Sequence, residues 1–106
     1  MNDPCLFVVS APVEHVGAVR EAIHGAGGGK MGNYSNCSFS YRGTGRFMPE
    51  PGANPSIGEV GKLVEIEEER IEVLCERSNI SAVIDAVKKV HPYETPALHY
   101  FSVVIE

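Results

Sequence analysis

Cysteine is scarce, three in 106 residues, and the three are scattered: Cys5, Cys37 and Cys75. No CxxC pair occurs, which excludes a zinc knuckle and a thioredoxin-type redox motif. Odd in number and far apart, they read as reduced, buried thiols of a cytoplasmic protein. Basic charge is equally thin. The formal net charge is −5, and no basic cluster exceeds Lys88-Lys89. Phosphate binding needs a basic footprint, so nucleic acid is not expected as a partner. Long apolar runs are missing too; none approaches the roughly 20 residues of a membrane span. Met1–Cys5 carries no basic region ahead of its short apolar run, so no signal peptide and no membrane association are expected.

Catalytic signatures are also few. There is no GxSxG elbow. "GAGGGKMG", Gly25 to Gly32, suggests a phosphate loop, but it follows a helix and opens a strand, the reverse of the required order. The Walker pattern also needs glycine where His24 stands and serine or threonine where Met31 stands. Cys37 or Ser38 could pair with His91, with Glu94 as orienter, yet nothing local supports a nucleophile. Glu65, Glu67, Glu68 and Glu69 read as a solvated strand face rather than a glycosidase pair. No catalytic residue is assigned.

What the chain does have is an ordinary globular composition, 43% apolar and 22% charged, suited to one domain over residues 1–106. "CLFVVSAP" reads as a central strand. Pro12 then opens a helix with Val13, Val16, Val19, Ile23 and Ala26 on one stripe, ended by Gly25 and Gly27 to Gly29. "NYSNCSFSY" reads as a strand with one polar face. "RGTGRFMPEPGANPSIGEVG", Arg42 to Gly61, reads as a long irregular connection of the kind that carries function or an interface. "KLVEIEEERIEVLCE" alternates twice with a change of parity, which predicts a bend or bulge between Glu67 and Arg70. Ser78 or Asn79 is expected to cap a second helix bearing Ile80, Val83, Ile84, Val87 and His91, stopped by Pro92. "ALHYFSVVI" reads as the last strand.

The order β-α-β-β-α-β predicts an α+β, ferredoxin-like sandwich: an antiparallel sheet with two helices on one face. The other face is expected to carry Tyr34, Leu74, Tyr100 and Val104. It is too apolar to stay in water, which predicts a homo-oligomer.

The chemistry-bearing group is "HPYETPALHY". His91 and Glu94 lie three apart across the helix-to-strand turn, where side chains can converge. They are the candidate metal ligands, and His91, Tyr93, Glu94 and Cys37 form the candidate ligand-binding set. Two or three ligands are a minimum for zinc, and an open site at that. The plainer reading also stands: His91 ends the helix while Tyr93 and Glu94 shape the turn.

"HPYETPA" together with "GKMGNYSNCSFSYRGTGRFMPEPGANPSIGEVGKLVEIEEERIEVL" resembles the inserted domain of the NGG1-interacting-factor-3-like (YqfO-type) family, over essentially the whole chain. The resemblance implies a ferredoxin-like domain similar to the PII signalling proteins and the CutA divalent-cation-tolerance proteins, both trimers. It therefore implies a homo-oligomer, trimer first and dimer as runner-up. Full-length members carry a dinuclear metal centre in flanking domains. This chain, read as standing alone, has no room for them, and that centre does not transfer. The family pattern continues proline-alanine-tyrosine-aspartate, whereas here Leu98 and His99 follow Ala97. The implied function is a non-enzymatic binding or regulatory module of the PII/CutA-like kind, with a small molecule or a divalent metal ion as ligand. Two alternatives are carried: a small metal-dependent hydrolase or transferase, and a structural subunit that docks on a larger protein.

Overall fold

Apolar residues at every second position draw Pro4–Pro12 into an extended strand, β1, with Cys5, Phe7, Val9 and Ala11 fully buried on one side. A computed structural model describes the whole chain, residues 1–106. From β1 the chain passes a short 3-10 turn, Val13–His15, into helix α1, Val16–Gly25. Strands β2 (Phe39–Phe47) and β3 (Val64–Glu76) follow. A second 3-10 turn, Arg77–Asn79, leads into helix α2, Ile80–Val90, and then strand β4, Leu98–Ser102. The sheet is antiparallel in the order β2-β3-β1-β4. This is the split β-α-β sandwich that the element order predicts.

The core lies between the sheet and the helices. Val16, Val19 and Ile23 of α1 and Ile80, Val83 and Val87 of α2 pack on Cys5, Phe7, Val9, Ile71, Val73 and Cys75. Each buried valine or isoleucine contributes on the order of 1.5–3 kcal/mol. No helix is long and apolar enough to cross a membrane.

Several expectations need correction. The second strand does not start at Asn33 but at Phe39. Residues before it form a turn: Met31 and Tyr34 bridge each other, and the Cys37 amide bonds to the Gly29 carbonyl at 2.9 Å. "RGTGRF" belongs to β2 rather than to the connection. No bulge interrupts β3, whose pairing with both neighbours runs in unbroken register. The parity change has a different cause. Ile71, Val73 and Cys75 face the helices, whereas Val64 and Ile66 lie beyond helix cover and turn their apolar side to the opposite face. On the helix side of that outer stretch Glu65, Glu67 and Glu69 pair with arginines instead. Neither helix has a side-chain cap, and Asn79 reaches back to the Gly27 carbonyl.

The face away from the helices also differs in membership. Register places Leu6, Val8, Leu74, Phe39, Tyr41, His99 and Phe101 there. Leu74 is as expected. Tyr100 pairs with Phe7 and so shares the helix-facing side, Tyr34 lies in the turn, and Val104 follows the end of β4.

Candidate functional site

Pro92 ends α2 by driving the residue before it out of the helical region, and His91 is extended (φ −71°, ψ 134°). The following segment crosses the end of β1 to reach β4, and it carries His91, Tyr93 and Glu94 to the end of the open face. His91 is buried, 7% exposed. Its Nε2 lies 2.7 Å from the Ser10 carbonyl, and its Nδ1 lies 3.2 Å from the Tyr93 amide. A carbonyl only accepts and an amide only donates. The ring is therefore the neutral tautomer with its proton on Nε2. Both nitrogens are in use, so ligation of a cation by His91 requires giving up one of these bonds.

Tyr93 sits between His91, 5.0 Å away by ring centroid, and Phe47, 5.4 Å away and edge-on. Its hydroxyl donates to Oε2 of Glu68 at 2.6 Å. Burial pushes the phenol above the usual tyrosine range, and the hydrogen bond to Glu68 and that carboxylate's charge push it further. Oε1 of Glu94 accepts the Asn54 amide at 2.9 Å and so ties the turn to the connection between β2 and β3.

These contacts enclose a cleft of about 300 Å³. Phe47, Pro49, Pro55, Ile57 and Tyr93 form its apolar walls, and Glu68 and Glu94 present carboxylates to it. Gly45 shapes it: a Cβ there would overlap the Glu68 carboxylate, so the missing side chain lets that carboxylate lie across β2. The long connection thus folds over the open face rather than hanging free.

The structure places Tyr93 and Glu94 on the cleft, while His91 touches the Tyr93 ring and is not part of the cleft lining. The structure does not bring in Cys37, which is held beside Gly29; the Gly29 amide in turn bonds to Leu74. Leu74 lies six residues along β3 from Glu68, or about 20 Å in an extended strand. No group of three or more His, Cys, Asp or Glu side chains is placed to hold a metal ion. The residues missed from the sequence are Phe47, Asn54 and Glu68. Glu68 had a signal: it continues the Val64, Ile66 parity, and so is the glutamate of its run that shares a face with apolar neighbours.

No family model matches the chain. It is 44% identical over 98 residues to the GTP cyclohydrolase 1 type 2 homolog of Mycobacterium leprae, which covers 92% of this chain and 26% of that protein. The Bacillus cereus protein related to NIF3 superposes with a TM-score of 0.82 at 40% identity, over 95% of this chain and 26% of that one. The periplasmic divalent cation tolerance protein CutA from Archaeoglobus fulgidus superposes with a TM-score of 0.70 at 17% identity, over 97% of this chain and 86% of that one; at that identity it speaks for the fold alone. The chain spans about a quarter of the length of the curated relatives it matches. The chain thus has the CutA-like fold and is homologous over nearly its whole length to a quarter-length portion of the GTP cyclohydrolase 1 type 2 homologs and of a NIF3-related protein.

Proposed function

We propose that the chain is a non-enzymatic, oligomeric binding or regulatory module whose small ligand enters the cleft at Tyr93 and Glu94. The observation that carries this reading is the cleft itself. It is concave, walled by aromatic and proline side chains, and furnished with a few polar groups, which is the usual make-up of a small-molecule site. His91 acts here by holding the turn in place, since both of its ring nitrogens are spent on backbone partners. A divalent ion at His91 and Glu94 is the second reading, prompted by the CutA-like fold; it needs His91 to exchange a hydrogen bond for the ion.

The open sheet face supports assembly. Phe39 is 67% and Phe101 48% exposed on it, and Arg70 Nε is buried there with no hydrogen-bond partner. An apolar face of this kind favours burial against another copy. A trimer is the first expectation, a dimer the second.

Thermal-shift screening of the purified chain against small organic molecules, nucleotides and divalent ions tests the binding reading. A ligand whose stabilisation disappears in Glu94→Gln supports it; a screen with no response sinks it. Light scattering tests the assembly, and a monomer at 11.5 kDa rules it out.

A further inference from the structure

Four of the six glutamates of β3 pair with a cation. Glu65 pairs with Arg46 at 3.2 Å and Glu67 with Arg42 at 3.1 Å. Glu69 pairs with Arg20 at 3.2 Å and with Arg42 at 3.6 Å, and Glu72 lies 3.9 Å from Arg70. Glu76 accepts the Asn2 and Asp3 amides. Glu68 is different. It is half-buried among apolar walls, and its partner is the neutral Tyr93 hydroxyl. Its other oxygen has no protein partner and is not buried. Glu94, exposed at the rim, is also without a cation: one oxygen takes the Asn54 amide. Glu14 stands close enough for its charge to act on the Tyr93 phenol. Arg46 lines the cleft as well, but it is engaged with Glu65.

We propose that the cleft binds an organic cation, a primary amine or guanidinium carried on a small apolar body, with Glu68 as its paired carboxylate. This rests on the reading of the cleft as a small-ligand site. The charge is the discriminating feature. A carboxylate held among apolar groups is costly unless a partner neutralises it, and the protein supplies none here. A cationic head would meet Glu68 and Glu94 together, with the rings of Phe47 and Tyr93 beside it to add cation–π attraction. The apolar body would lie against Pro49, Pro55 and Ile57. An anionic ligand would face uncompensated carboxylates. A bare calcium or magnesium ion demands six or more oxygen ligands or tightly held waters, which these walls do not offer.

The test uses three compounds of one skeleton and three charges: phenethylamine, 2-phenylethanol and phenylacetate. Agmatine serves as the guanidinium probe. Each is titrated calorimetrically into the wild-type chain and into Glu68→Gln, which keeps the shape and an acceptor for Tyr93 but removes the charge. Phenethylamine or agmatine is expected to bind the wild type, and Glu68→Gln to weaken that binding about tenfold or more, as for loss of a charge-assisted contact. On the wild type alone, the bound amine should shift the Phe47 and Tyr93 ring resonances, a readout that survives if the variant fails to fold. Equal affinity for the alcohol or the acid, unchanged amine affinity in Glu68→Gln, or no binding of either cation overturns the proposal. A neutral or acidic compound that binds while the amines do not overturns the charge assignment and leaves the cleft as a ligand site. Failure of the broad thermal screen removes the site itself.

Discussion

The Tyr93 hydroxyl and the Glu68 carboxylate, 25 residues apart, meet at 2.6 Å and join the turn after α2 to the middle of β3. The bond orients Glu68 toward the cleft and holds Tyr93 against Phe47. Tyr93→Phe removes one hydrogen bond to a charged group and is expected to cost about 1.5–3 kcal/mol, read from the denaturant midpoint. The pH dependence has a defined sign. The folded state holds the phenol proton more tightly than the unfolded chain does. The resulting stability is present below the ordinary phenol value of 10.0 and is lost as pH rises beyond it. In an alkaline absorbance titration, one of the four tyrosines should ionise late, and Tyr93→Phe should abolish that late phase.

Gly45→Ala tests how the cleft is shaped. The added methyl would occupy the place of the Glu68 carboxylate, so Glu68 must swing away and lose Tyr93. The expected result is weaker ligand binding with the sheet intact. Circular dichroism unchanged from wild type, together with loss of the late tyrosine phase, would show it; a preserved late phase would mean that Glu68 had not moved.

His91→Ala leaves the Ser10 carbonyl and the Tyr93 amide without their ring partners. Leaving buried polar groups unsatisfied costs about 1–3 kcal/mol each, and the lost packing adds to that. The variant should unfold at clearly lower denaturant than the wild type. An unchanged midpoint would show that the turn holds without its imidazole.

The thiols should divide by burial. Cys5 and Cys75 are buried and face each other across β1 and β3, whereas Cys37 is only half-buried. Burial pushes the Cys75 thiol up to about 11; Cys5 adds to the rise, and the Gly29 amide opposes it. With a thiol reagent at neutral pH, Cys37 should react quickly and the other two only after denaturation. Because the folded thiol binds its proton more tightly than the unfolded one at 9.0, stability should fall between about pH 9 and pH 11. Cys75→Val, similar in size and unable to ionise, should flatten that part of the profile.

Local patterns determined much of this protein. Val16, Val19 and Ile23, and Ile80, Val83 and Val87, recur at helical spacing because each helix must bury one stripe, so both helices were legible from the sequence. The order of elements then admits few antiparallel arrangements, and the sandwich follows from it. His91 as the end of α2 was equally legible, since Pro92 cannot continue a helix. Tertiary structure alone decided the rest. The start of β2 was hidden because "NYSNCS" alternates as a strand would, yet its amides are claimed by Gly29 and Met31 rather than by a neighbouring strand. The glutamate run from Glu65 to Glu69 looks uniform in sequence. Alternation sends Glu65, Glu67 and Glu69 toward arginines from β2 and α1, and sends Glu68 into a cleft with Tyr93. Which partner each carboxylate meets depends on strand register and on where the Met48 to Leu63 connection folds back. Those are contacts between residues distant in the chain, and no local spacing encodes them.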